Sequence, residues 1–234
     1  MKKPSYIYLI CILCMCACGS DLSPSEEKIK NEVSSIYLAD ATFEDIKNAT
    51  LGDTENLHVK NINVSRSPVL DTLGSTFALN SIATIAYENL SQEERNMYDY
   101  IGLEIAQKSG EANPFSFKTN TLEKINNTKK VAYQFADAIS SASFKNMESI
   151  LDTGQAPAEA AAVLQNYFKE LTVSAGAIES YYFYGVGQGE HQSNKFYTHL
   201  GKFTYKNGMT QNFFVNVFEG DVVTKGYNVS PINK

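Results

Sequence analysis

The residues able to do chemistry in this chain are few. Three histidines occur, His58, His191 and His199, and four cysteines, Cys11, Cys14, Cys16 and Cys18. His191 and His199 lie eight residues apart, which matches none of the short spacings that set two metal ligands on one helix or strand face. The histidines are therefore expected to be solvated or core residues, and no metal or cofactor is expected. The run Gly185-Val186-Gly187-Gln188-Gly189 resembles a phosphate-cradling loop in composition only. Such loops lead into a helix whose N-terminal dipole meets the phosphate, and here Glu190 to Asn194 lead into a strand-like stretch. That run is expected to be a flexible hairpin loop. Tyr181-Tyr182-Phe183-Tyr184 is the densest aromatic stretch, with Tyr182 and Tyr184 on one strand face and Tyr181 and Phe183 on the other. One pair is ordinary core; the other suits a half-wet cavity or a partner surface.

All four cysteines fall in the first eighteen residues. Lys2 and Lys3 precede an apolar run from Tyr6 to Met15, too short to span a bilayer and of the length of a secretory signal. The run closes on Ala17-Cys18-Gly19-Ser20, which resembles the lipobox of bacterial lipoproteins, with Met15 standing where that family prefers Leu. The resemblance implies cleavage before Cys18 and attachment of a diacylglyceryl group to its sulfur. Two acyl chains give stable anchoring where one is marginal. It further implies a cell-envelope location, in the outer membrane if the organism has two, because Gly19 rather than Asp follows the cysteine. The mature body would then hold no thiol, which excludes a cysteine nucleophile, a thiolate metal site and a disulfide scaffold.

Charge narrows the partners. The chain has 20 Lys+Arg against 26 Asp+Glu, and loss of Lys2 and Lys3 leaves 18 against 26, a net charge of −8. No basic stripe exists to neutralise phosphates, so nucleic acid is not an expected partner. Attraction to anionic lipid is equally unsupported, which leaves the acyl group as the membrane contact.

The periodicities place these residues on an α+β scaffold. After a polar tether at 18–25, a helix is expected to start around Ser25 and carry Ile29, Val33, Ile36 and Tyr37. A short helix follows over 42–51 and a strand over 57–65, broken at Ser67-Pro68. Residues 74–90 fit a strand face (Phe77, Leu79, Ala83, Ile85, Tyr87) or a helix (Ile82, Ile85, Ala86, Leu90); β-branched content favours the strand. Ser91 with Glu94 is a capping box, and its helix is expected to carry Met97, Ile101 and Ile105 inward and stop at Ser109-Gly110. Phe115, Phe117 and Thr119 begin another strand. A second unit is expected from residue 127, opening with a helix whose stripe is Val131, Ala132, Phe135, Ile139 and Ala142. Pro157 opens a further helix carrying Ala160, Ala161, Leu164, Phe168 and Leu171. An irregular patch at 173–177 then leads into four meandering strands, over 178–186, 195–206, 209–219 and 222–229, with a two-residue turn at Asn207-Gly208. The domains read as a signal peptide at 1–17, the tether at 18–25, a small α+β module at 26–126, and a domain of helices packed on a curved antiparallel sheet at 127–234.

Two helices, an irregular patch and a bent sheet resemble the nuclear-transport-factor-2-like cone fold over about residues 128–232. The last strand, Val222-Val223-Thr224-Lys225-Gly226-Tyr227-Asn228-Val229, is similar to the closing strand of small exported cone domains, without the Trp usual before Gly-Tyr. Some enzymes of that fold shuttle protons with a cavity tyrosine and acids or an Asp–His pair. Residues of those types here are Tyr133, Asp137 and His199. Tyr133 and Asp137 are expected to face solvent, about 160° from the apolar stripe of their helix. His199 shares a strand face with Tyr197, Phe203 and Tyr205 and is expected to point inward as a hydrogen-bonded core imidazole, since a general base also needs an orienting partner.

These readings favour a lipid-anchored envelope protein, not an enzyme, that binds a protein partner or a small apolar ligand. The candidate ligand contacts are His199, Tyr197, Tyr182 and Tyr184. A cone-fold isomerase or dehydratase using His199 is the alternative, and a purely structural interaction module is a third reading. A filled cone would favour the interaction protein; a pocket holding His199 and an acid would favour the enzyme.

Overall fold

The computed structural model describes residues 22–231 apart from 74, 107–111 and 155. Helices and strands segregate into an α+β fold with two four-stranded sheets, ordered β1-β2-β3-β4 and β5-β6-β7-β8. No helix among the described residues is long and apolar enough to cross a membrane.

Helix α1, Pro24–Tyr37, starts just before the expected position. Ser23 is the true N-cap. Its hydroxyl accepts from the Glu26 amide at 3.2 Å, and the Glu26 carboxylate accepts from the Ser23 amide at 2.7 Å. This is a reciprocal capping box. The last two residues of the expected tether, Pro24 and Ser25, are thus already helical. Strand β1, Ala41–Leu51, replaces the helix expected over 42–51. Ala41, Phe43 and Asp45 pair with Val64, Ile62 and Lys60 of β2, Thr54–Val64. A register shift after Ile46 admits Asn48 at positive φ, as an extra residue in one strand does.

Parallel pairing of β2 with β3, Tyr100–Ala106, requires a crossover. It consists of α2 (Pro68–Thr72), α3 (Ser75–Asn89) and α4 (Gln92–Met97). The strand expected over 74–90 is therefore helical. Ala78, Leu79, Ile82, Ala83, Ile85 and Ala86 are all buried, because α3 packs against α1, α5, β3 and β5 at once. A helix buried on every side shows no polar face to reveal its period. The Ser91 capping box forms as expected, yet its helix ends at Met97, which is 46% exposed. Ile101 and Ile105 belong to β3, where a spacing of four also keeps two side chains on one face. The expected stop at Ser109-Gly110 lies outside the described residues. Strand β4, Ala112–Lys118, pairs antiparallel with β3.

Helix α5, Thr119–Ser140, crosses the expected boundary at 126/127 without a break. Its first half gives Leu122 and Ile125 to the core shared by α1, α3 and the first sheet. Its second half gives Val131, Ala132, Phe135 and Ile139 to the core of the second sheet. A 3-10 turn (Phe144–Ser149) and α6 (Pro157–Ala175) complete the helical layer. The patch expected at 173–177 is mostly the last turn of α6, ended by Gly176 at φ +81°.

The second sheet is a meander as expected, of β5 (Ile178–His191), β6 (Asn194–Tyr205), β7 (Thr210–Phe218) and β8 (Gly226–Val229), although its last strand starts at Gly226 and not at 222. Residues 185–189 are inside β5, not a loop. The ring of Phe77 lies over Gly187, where a Cβ would run into Cε1. The glycine makes room for α3. The β5–β6 turn sits later, at Gln192-Ser193, both at positive φ, as a two-residue hairpin requires. At the β6–β7 turn only Gly208 has positive φ. The Gly208 amide donates to the Tyr205 carbonyl at 2.8 Å. This connection is a three-residue loop with glycine in the left-handed position, in place of the expected two-residue turn.

Candidate functional site

His199 is fully buried on β6 between Val186 and Val215. Its Nε2 lies 3.0 Å from the Thr128 hydroxyl, and that hydroxyl donates its single proton to the Ile125 carbonyl at 2.8 Å. Thr128 must then accept from Nε2–H, which assigns the Nε2-protonated tautomer. Nδ1 is buried with no hydrogen-bond partner. Burial, and secondarily the positive charge of Lys129, push the imidazole down to about 3. A group with that affinity for protons is neutral and a weak base near neutrality. Among the described residues no carboxylate is hydrogen-bonded to it, so the geometry is that of a core imidazole.

The other candidates do not converge on it. Tyr197 shares the inner face of β6 and is buried. Its hydroxyl is 3.5 Å from Glu219 Oε2, and burial followed by that carboxylate push the phenol up to about 12. Tyr182 and Tyr184 lie on the opposite side of the sheet, half-buried, with ring centroids 6.2 Å apart. The Lys202 ammonium is 6.0 and 5.8 Å from those rings, within reach of a cation–π contact. Tyr133 departs from expectation. It is half-buried, edge-on to Phe183 at 5.0 Å, with the Lys129 ammonium 5.4 Å from its ring. Asp137 is exposed as expected and accepts from the Tyr181 hydroxyl at 2.6 Å.

The interior beneath the second sheet is filled by rings. Phe203 and Phe213 stack at 4.1 Å. Phe168 meets Phe203 edge-on at 5.9 Å, and Phe135 packs on Tyr227 at 5.4 Å. Offset and edge-on pairs of this kind are the favoured arrangements of aromatic quadrupoles. Gly201 lies under Phe213, where a Cβ would collide with the ring.

Two buried lysines emerge only in three dimensions. Lys129 Nζ contacts Glu88 Oε2 at 2.5 Å, and Glu32, which accepts from Asn89 at 2.8 Å, adds to the negative field around it. Burial alone would pull Lys129 down; the carboxylates more than offset it and hold the ammonium charged above its usual range. Lys60 Nζ sits between Glu26 Oε1 at 2.5 Å and Asp45 Oδ1 at 2.9 Å, with Tyr98 donating to Asp45 at 2.8 Å. Both lysines interrupt apolar periodicities, Lys129 between Ile125 and Ala132 and Lys60 beside Ile62. Those interruptions are the signal available in the sequence. Among the described residues no group of three His, Cys, Asp or Glu is placed to hold a metal ion.

A cleft of about 440 Å³ opens between α4 and the first turns of α5. Arg95 forms one wall. Its Nε donates to the Tyr87 carbonyl at 2.8 Å and its Nη2 to the Glu88 carbonyl at 2.7 Å, with the guanidinium 4.8 Å from the Tyr87 ring centroid. Asn120, Glu123, Asn127 and Lys130 line the facing wall, recurring at helical spacing. No periodicity or motif in the sequence marks this cleft.

Cys18 lies outside the described residues. No family model, no curated protein and no solved structure matches the chain.

Proposed function

We propose that the chain is exported, anchored to the cell envelope through acyl chains on Cys18, and works there by binding and not by catalysis. The observation that carries the reading is the order Lys2-Lys3, apolar run, Ala17-Cys18-Gly19-Ser20, with the first described helical residue, Pro24, only six positions after Cys18. At roughly 3.5 Å per residue that link reaches about 20 Å at most, so the folded body would sit against the membrane surface. Its net charge of −8 gives no attraction to anionic lipid, which leaves the acyl group to hold it. Two features support binding over chemistry. His199 is closed off with only Thr128 for a partner, and aromatic rings occupy the space where a cone-fold ligand would lie. Recognition therefore falls to the outer surface, and a protein or polar ligand fits that better than an apolar one held inside.

Fractionation of cells tests the reading. The wild-type chain is expected in the membrane fraction, resistant to high salt and released by detergent, whereas Cys18→Ser shifts out of the salt-resistant fraction. Salt-resistant membrane association of Cys18→Ser would refute the anchor. A crosslinking pull-down from envelopes, with Cys18→Ser as control, then reads out what the body meets.

A further inference from the structure

We propose that the cleft between α4 and α5 binds a neutral saccharide. The inference rests on reading the chain as a binding protein, and not on the lipid anchor. At about 440 Å³ the cleft has the size of a small-molecule site, yet its walls invert the usual composition of one. Gln92, Asn96, Asn120, Asn126 and Asn127 supply five amides, with Thr119 beside them, and no aliphatic side chain lines it. An apolar ligand would gain nothing there.

The donor and acceptor inventory selects among polar ligands. Each amide offers a carbonyl acceptor and two N–H donors, and each hydroxyl of a sugar both donates and accepts. Adjacent hydroxyls can therefore satisfy a wall of amides without leaving either kind of group unpaired. Phosphate or carboxylate groups only accept. They would be met by Arg95, Lys130 and the amide N–H groups, but the Glu123 carboxylate would repel them and the amide carbonyls would find nothing to accept from. A cationic ligand meets the reverse mismatch at Arg95 and Lys130.

The walls are also held before any ligand arrives, which lowers the ordering cost of binding. Arg95 is fixed by two backbone carbonyls and the Tyr87 ring, and those bonds use two of its five N–H donors. Gln92 donates to Asn96 at 3.0 Å, and Lys130 donates to Asn127 at 3.0 Å. Asparagine is a poor helix former, yet three of them stand in the first half of α5 and no side chain caps that helix. Local choices that oppose the fold concentrate at functional positions. The Ser25 hydroxyl donates to Glu94 of α4 at 2.6 Å, which ties the helix bearing Gln92, Arg95 and Asn96 to α1.

The test uses the full mature chain in a detergent without a sugar headgroup, titrated with chitotetraose, maltotetraose and, as an acidic control, a heparin-derived tetrasaccharide. At least one neutral tetrasaccharide is expected to bind with Kd of ~1 mM or tighter. The Asn120→Ala/Asn127→Ala double variant should weaken it about tenfold while its melting temperature stays or rises, since alanine is the better helix former. Failure of both neutral sugars to bind at ~10 mM, undiminished binding by the double variant, or tighter binding of the acidic sugar would overturn the proposal. None of these outcomes depends on the fractionation of Cys18→Ser, so the anchor and the cleft stand or fall separately.

Discussion

Replacing Lys129 by alanine is expected to lower the unfolding free energy by about 3–5 kcal/mol, the usual cost of removing one member of a buried ion pair. The lysine side chain is 4% exposed and touches Glu88 Oε2 at 2.5 Å, while Glu88 itself is 21% exposed. Truncation leaves Glu88 beside Glu32 without its ion-pair partner, with the weaker field of Arg95 in its place, and it opens a void over Tyr133 that the surroundings fill only in part. Removing the pair as a unit is a different perturbation. In Lys129→Met/Glu88→Leu both desolvation penalties vanish with the attraction, so this double variant should lie within about 1–2 kcal/mol of wild type. Urea unfolding of the two variants distinguishes them. A Lys129→Ala loss under about 1 kcal/mol would mean that the pair is effectively solvated.

The second large effect is an acid dependence carried by His199. In the unfolded chain an imidazole takes up a proton below about pH 6.5; in the fold it stays neutral down to about 3, because burial and then Lys129 oppose the charge. Between those values the unfolded state binds more protons, so stability is complete above about pH 6.5 and falls as pH drops toward about 3. At about 1.4 kcal/mol per pH unit the loss between about pH 6.5 and 5 approaches about 2 kcal/mol, before most carboxylates titrate. His199→Gln retains an N–H for Thr128 and cannot be protonated. Denaturation at about pH 6.5 and 5 should show the loss in wild type and little in His199→Gln. Equal slopes would place the acid sensitivity elsewhere.

The parts of the fold legible in the sequence were those with one buried and one wet face. The alternation Tyr197, His199, Phe203, Tyr205 on β6 and the stripe Val131, Phe135, Ile139 on α5 each announce their period. The Ser91 capping box was legible as chemistry, whereas the one at Ser23 was not, and Ser23 rather than Ser25 starts α1. What stayed hidden follows from geometry. Helix α3 is buried all round and so has no polar stripe; Ile101 and Ile105 satisfy both periods; residues 185–189 look like a loop because glycine is needed under Phe77. The unbroken α5 hides the expected domain boundary, since it serves one core with each half. At the level of sites, His199 pointed inward as its strand face required, but Tyr182 and Tyr184 lie across the sheet from it. The α4–α5 cleft needs residues from two helices brought face to face, which no one-dimensional pattern displays.

The central claim is that Cys18 holds the body at a membrane, and the mass of the mature protein tests it most directly. Intact-mass and N-terminal peptide analysis of the chain purified from envelopes is expected to show Cys18 as the first residue, carrying a diacylglyceryl group. A mature chain that begins elsewhere, or that retains Cys18 without acyl mass, would contradict the account.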